Sequence, residues 1–138
     1  MNGPIITRAL LLLRPQLLAA LGPTASARIV VGIIPPGAAL PAIGVTEVVA
    51  TEHVPLTGGS SALVRSRTQI TVAASSTKQA KDLLAQARYA CRNFVGLLPN
   101  IGMVKCQLLE TGPDFEHEAG FAMQSQDVRV TFKDVPGN

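Results

Sequence analysis

Residues 28–49, RIVVGIIPPGAALPAIGVTEVV, contain two β-rich runs separated by prolines and a glycine. The first run predicts a strand over 28–34, and the second predicts a strand over 41–53. Pro35 and Pro36 cannot donate backbone hydrogen bonds to a sheet, and the glycine after them permits the positive φ of a tight turn. The segment therefore predicts two strands whose pairing stops at the prolines.

The length and composition of the chain limit its architecture. A chain of 138 residues predicts a single domain, 1–138, that is large enough for a hydrophobic core. Hydrophobic residues make up 47% and charged residues 15%, so much of the surface must be neutral or apolar. Such a surface favours burial against other subunits, and a compact Ala/Gly/Val-rich domain is the alternative.

Charge, aromatic content and cysteines make several classes of function less favoured. The net charge is only +3, with no run of like charges longer than two, whereas DNA-binding domains typically cluster Lys and Arg on one element. Four Phe, one Tyr and no Trp are too few for a surface that stacks single-stranded bases. Cys91 and Cys106 form no CxxC motif, so we interpret both as reduced core residues.

The Leu-rich N-terminus, ALLLLRPQLLAALG at 9–22, predicts a helix over 5–21. Pro15 removes a helical hydrogen bond, so we expect either a kink or a second short helix with Pro15 at its first position. The apolar pieces are far shorter than the roughly 20 residues that cross a bilayer. This predicts a soluble, non-exported chain with a loop at 22–27.

The third predicted strand, 62–73, alternates in polarity. Its uncharged face is expected to lie on the core and consists of Val64, Ser66, Thr68, Ile70 and Val72. The opposite face consists of Leu63, Arg65, Arg67, Gln69 and Thr71. In the second strand, Ile43, Val45 and Val49 are expected to share one face.

A long helix is predicted over 76–98. Ser76 and Gln79 have capping-box spacing. An apolar stripe would face the sheet, and it consists of Ala80, Leu83, Leu84, Ala87, Cys91, Phe94, Val95 and Leu98. A basic stripe lies opposite, either solvated or paired with acidic groups of a neighbouring subunit, and it consists of Lys78, Lys81, Arg88 and Arg92.

Strands at about 103–111 and 119–132 complete the predicted fold. The fold class is α+β, in the order α-β-β-β-α-β-β. The sheet is expected to be mostly antiparallel, with the helices packed on one face.

The order and spacing of these segments resemble the phage tail completion proteins, also called tail terminator or tail-to-head joining proteins. GIIPPGAALPAIGVTEV is similar to the YP…LPQGAxLPAIVYxxV segment of that family. The family's remaining segments correspond to LLLLRPQLLAALG, LVRSRTQITVAA, TKQAKDLLAQARYACRNF and DFEHEAGFAMQSQDVRVTF. The resemblance covers about residues 5–132.

The resemblance implies a virion assembly protein that is not an enzyme and needs no cofactor. It implies a ring of copies, commonly a hexamer, at the head-proximal end of the tail, made in the host cytoplasm. The implied partners are other copies, the tail tube protein and a head-neck connector protein. DNA would pass through the ring without specific binding, and no membrane is involved.

Other interpretations of the function stay open, both within the virion assembly class and outside it. Within the virion assembly class, the alternative is another neck component, such as a head-closure protein. A small nucleic-acid-binding α+β domain would use the basic stripe of the helix, and a hydrolase is a weaker third interpretation.

The candidate metal-binding and catalytic residues are better explained by structural roles. Asp114, Glu116, His117 and Glu118 could ligate a metal, but adjacent loop residues do not converge by themselves, which favours a solvated acidic turn. His53 and the serines at 60–61 lack the G-x-S-x-G elbow of a hydrolase. We therefore predict no catalytic, metal or cofactor residues.

The predicted interface residues lie in three places. The 54–61 loop is expected to become ordered on a partner, and Gly58-Gly59 lacks the features of a phosphate loop. Arg65 and Arg67 are either isolated exposed residues or part of a subunit interface. The full set is Leu56, Thr57, Gly58, Gly59, Ser60, Arg65, Arg67, Lys78, Lys81, Arg88 and Arg92.

Overall fold

The computed structural model describes residues 2–54, 56 and 61–134. Its helices are α1 (Gly3–Leu12), α2 (Pro15–Leu21), α3 (Ala25–Arg28) and α4 (Thr77–Cys91). Its strands are β1 (Ile29–Val31), β2 (Ala42–His53), β3 (Ala62–Ala74), β4 (Phe94–Leu98), β5 (Gly102–Thr111), β6 (Phe115–Glu116) and β7 (Ala122–Asp134).

The Leu-rich N-terminus forms two helices rather than one kinked helix. The side chain of Asn2 caps α1 by accepting a hydrogen bond from the Ile5 backbone N–H at 3.0 Å. Pro15 is the first residue of α2, a position that needs no N–H, which confirms the second of the two predicted arrangements. In the described part of the chain no single helix is long and apolar enough to cross a membrane; α1 and α2 together pass by length and composition alone, but are bent by 88°.

Two expectations for residues 22–34 are wrong. Ala25–Arg28 form the helical turn α3, where the Arg28 Nε donates to the Thr24 hydroxyl at 3.0 Å. Strand β1 then covers only three residues, because Gly32 has a φ of 116° and turns the chain. The remaining residues up to Pro41 connect β1 to β2.

One sheet of seven strands has the order β1-β2-β3-β7-β5-β4, and β6 pairs with the start of β7. Every neighbouring pair is antiparallel except β1 and β2, which are parallel. Helices α1 and α4 pack on one face over a hydrophobic core, and α2 packs on them. The predicted α+β class, the mostly antiparallel sheet and the one-sided helical layer are confirmed.

Helix α4 begins as predicted. The Ser76 hydroxyl accepts a hydrogen bond from the Gln79 N–H at 3.2 Å and caps the helix. Leu83, Leu84 and Cys91 are buried in the core, as the apolar stripe predicted.

The predicted continuation of this helix to residue 98 is wrong. Arg92 is extended and Asn93 has a φ of 49°, so the helix stops and the chain reverses into β4. Gly96, a poor helix former, lies in the middle of this strand. Leu98 is still buried, whereas Val95 is 65% exposed, because strand alternation turns it away from the core.

The two faces of the sheet follow the alternation of β3. Its predicted core residues are all buried, from Val64 to Val72. The opposite face, on which Arg65 and Arg67 lie, is less buried and is called the open face here. In β2 a bulge between Glu47 and Val49 places Val49 opposite Arg67 on the open face, so its predicted sharing of a face with Ile43 is wrong.

The connection from β1 to β2 crosses the open face. A Cβ at Gly44 would lie 2.8 Å from the Gly32 carbonyl oxygen and 2.9 Å from a side-chain carbon of Ile34. Only glycine therefore lets the connection lie directly on β2. Gly37 has a φ of 74°, as expected for the turn after the prolines.

Candidate functional site

The acidic turn between β5 and β7 is held together by its own side chains. Asp114 accepts from the Gln124 amide at 2.6 Å and lies 3.4 Å from the Lys81 ammonium. These two contacts, the amide hydrogen bond first, lower the pKa of Asp114. The His117 ring stacks on Phe121 at 4.4 Å, and its Nδ1 accepts from the backbone of the turn.

This turn is not arranged as a metal site. Glu116 and Glu118 are exposed, and His117 is engaged by Phe121. Across residues 2–54, 56 and 61–134, no three His, Cys, Asp or Glu side chains are grouped to hold a metal ion. The arrangement fits the predicted solvated turn.

The candidate hydrolase residues lie at opposite ends of the sheet. His53 pairs with Leu63, which pairs with Lys133 near the end of β7. His117 lies next to Phe121, just before β7 starts at Ala122, and Asp114 is hydrogen-bonded to Gln124 close to that start. Eleven residues of strand separate these rows, or roughly 35 Å at about 3.3 Å per residue.

The two cysteines are free and buried, as predicted. A hydrogen bond with Cys106 and then burial raise the pKa of the Cys91 thiol. A neutral thiol is a poor nucleophile, so Cys91 has a packing role.

The basic stripe of α4 is largely engaged within its own chain. Lys78 lies 3.4 Å from Asp82, and Lys81 lies 3.4 Å from Asp114. The Arg92 guanidinium lies 5.0 Å from the centre of the Tyr89 ring. Arg88 is half-buried. The basic stripe is therefore a weak candidate for binding a polyanion.

The predicted loop interface is described only in part. Leu56 is fully exposed. Thr57, Gly58, Gly59 and Ser60 lie outside the described residues, so their interface role stays a prediction.

The open face carries more positive charge than the sequence reading identified. Arg65 is exposed, whereas Arg67 Nε donates to Asp127 at 2.8 Å. Register places Arg129 directly opposite Arg67. Two further cations share this face, namely Lys105 and Lys133.

The sequence contained a signal for these missed cations. In β7, Asp127, Arg129, Thr131 and Lys133 alternate with the buried Val128, Val130 and Phe132. The period of two predicts one charged and one apolar face.

An open groove of about 690 Å³ lies on the other half of the open face. Its walls are the β1–β2 connection and the turn at 117–121, and its lining is mostly apolar, including Ile34, Leu40, Phe121 and Met123.

Two edges of the sheet are uncovered in the described residues. β1 pairs only with Ile43–Val45, so β2 from Thr46 onward has no strand on its outer side. β4 is the last strand on the opposite side. Both edges expose apolar side chains, including Val48 at 56% and Leu97 at 73%.

These two edges lie level with each other. One row of the sheet runs from Thr51 through Arg65, Thr131 and Lys105 to Val95. Because neighbouring strands alternate in direction along this row, β2 and β4 point the same way. The short edge of β1 differs, because the Arg8 guanidinium donates to the Ile29 carbonyl at 2.7 Å and covers it.

No protein-family model and no curated protein matches this chain. A chain in a solved structure described as the virion of a native gene transfer agent (GTA) particle has a similar fold. Its TM-score is 0.67, and the match covers 92% of this chain and 94% of that chain at 16% identity. At this identity the similarity shows a shared fold.

Proposed function

We propose that this protein is a virion structural protein that caps the head-proximal end of a tail tube and joins the tail to the head. The observation that carries the proposal is the fold shared, over nearly the whole of both chains, with a component of a gene transfer agent virion. The order of segments that resembles the tail completion proteins supports the specific role. The protein acts without catalysis, consistent with the burial of both cysteines and the separation of His53 from His117.

Copies of the chain form a closed ring, commonly a hexamer in the family it resembles. The uncovered β4 edge of one copy pairs with the uncovered β2 edge of the next. Because the edges are different patches, the contact is heterologous, the type that closes into rings. Both edges offer unpaired backbone groups and exposed valine or leucine side chains, which are features of strands that pair between chains.

The ring stops tube growth because its two rims differ. One rim reproduces the contact between tube subunits, and the other presents a surface to the head-neck connector protein. The 54–61 loop, with Leu56 exposed, contacts the tail tube or a neighbouring copy. A loop that becomes ordered on contact binds weakly until several copies act together.

The ring is tested by native mass spectrometry and negative-stain imaging of the purified protein. Leu97→Lys places a charge on the β4 edge and is expected to leave monomers, because lysine on an edge blocks strand pairing. Leu13→Lys is the matched control, since Leu13 is 61% exposed and lies on the helical side. Rings that survive Leu97→Lys, or that are lost equally in both variants, would contradict the proposed contact.

The α4 stripe offers no comparable support for a nucleic-acid-binding domain of the helical type. Lys78 and Lys81 already face carboxylates, and Arg92 lies against Tyr89.

A further inference from the structure

The open face carries a concentrated patch of positive charge in three consecutive rows. The rows contain Val49–Arg67–Arg129–Gln107, then Thr51–Arg65–Thr131–Lys105–Val95, then His53–Leu63–Lys133. They hold five cations and no acidic side chain. We call these five cations, Arg65, Arg67, Lys105, Arg129 and Lys133, the basic face.

The chain's own acidic residues neutralise little of this charge. Asp127, in the next row, pairs with Arg67 at 2.8 Å and also accepts from Gln69. Glu110 lies in the irregular stretch of β5 between Leu108 and Thr111, outside these rows. Asp114 and Glu116 of the acidic turn lie beside Gln124 and Ala122, five and seven residues of strand from Arg129, or roughly 15–25 Å at about 3.3 Å per residue. Four positive charges therefore remain in excess.

In the described part of the chain, the repulsion within this patch is offset by the chain's own carboxylates only at Arg67. Arg67 and Arg129 lie directly opposite each other on antiparallel strands, and like charges in such pairs are destabilising. Only Arg67 has a carboxylate partner within the described residues. A partner with closely spaced negative charges would remove the repulsion.

We propose that the basic face binds the phosphate backbone of duplex DNA without regard to sequence. Duplex DNA carries one negative charge per about 1.7 Å of its axis, a density that a protein partner would match only with a cluster of carboxylates. The face is broad and formed by strands, so it contacts phosphates rather than entering a groove to contact base edges. Its three rows contain no Phe, Tyr or Trp side chain, which disfavours single strands that bind by stacking. This inference is independent of ring formation.

Binding of the full chain to a labelled duplex of random sequence is measured by fluorescence anisotropy between 50 and 200 mM salt. With four phosphate contacts, log K should fall with log salt at a slope of about −3.6, which is roughly a 150-fold loss of affinity over that range. Lys105→Gln/Arg129→Gln removes two exposed cations and should reduce the loss to roughly 12-fold, with weaker binding at 50 mM. Asp127→Asn should instead strengthen binding.

The matched control is Lys78→Gln/Arg92→Gln, which removes the same charge from α4 and should leave binding unchanged. Circular dichroism confirms that all variants are folded. Wild-type protein that does not bind at 50 mM salt would overturn the inference. The inference would also be overturned if the α4 variant bound DNA more weakly and the sheet variant did not. A sheet variant that binds DNA as the wild type does and loses only self-association would overturn it as well. Failure of DNA binding would leave the ring and its Leu97→Lys test unaffected.

Discussion

Replacing Gly44 with alanine tests the crossing of the β1–β2 connection over the sheet. The added methyl group would lie 2.8 Å from the Gly32 carbonyl oxygen and 2.9 Å from Ile34 Cγ1. The Gly32 carbonyl has little freedom to retreat, because the Gly32 N–H donates to the Val45 carbonyl at 2.7 Å. Overpacking of this kind costs about 1–3 kcal/mol.

Part of that cost is offset in the unfolded chain. Glycine-to-alanine changes reduce unfolded-state entropy and stabilise by about 0.4–1 kcal/mol where the native backbone accepts alanine. We therefore expect Gly44→Ala to lower the free energy of unfolding by about 1–2 kcal/mol, measured by urea denaturation followed by circular dichroism.

Gly96→Ala is the matched control. The three atoms nearest to a Cβ at Gly96 all belong to the ring of Phe94, at 3.3 Å or more, and the end of that side chain can shift. The control should be neutral or slightly stabilised. If the free energy of unfolding of Gly44→Ala lies within about 0.5 kcal/mol of the wild-type value, the range of ordinary surface changes, the close approach of the β1–β2 connection to β2 is refuted.

Three further predictions concern α4 and its surroundings. Leu84→Ala, at a site only 3% exposed, should lower the free energy of unfolding by about 2–5 kcal/mol; a loss under about 0.5 kcal/mol would contradict its burial. Ser76→Ala should cost about 0.5–2 kcal/mol through loss of the helix cap, and Ser76→Asp, which can also cap, should retain most of the stability. The pKa of Cys91 is raised in the folded state, so stability should be full below an unfolded-state pKa of about 8.5 and fall as pH rises above it. Cys91→Ala should lack that part of the alkaline loss, and an unchanged pH profile would contradict the shift.

The sequence predicts the parts of this fold that short-range patterns determine. Ser76 and the stripe through Leu84 define the start and buried face of α4, because capping and helical period are local. The alternation of β3 likewise predicts its buried face. Prolines and glycine mark the connection after β1, although not its path across Gly44.

The errors arise where distant pairing decides the structure. Phe94 and Leu98 fit a helical stripe and a strand equally well, and pairing with β5 selects the strand. The bulge that turns Val49 to the open face depends on register with β3. The basic face was missed for the same reason, since Lys105 and Arg129 join Arg65 only when β5 and β7 pair beside β3.

Electron microscopy of particles assembled without this protein tests the proposed cap most directly. The gene is deleted in a producing strain and restored from a plasmid as the control. The proposal predicts tails of irregular length with no ring at the upper end, together with heads that carry no tails. Tails of uniform length joined to heads in the deletion strain would contradict it.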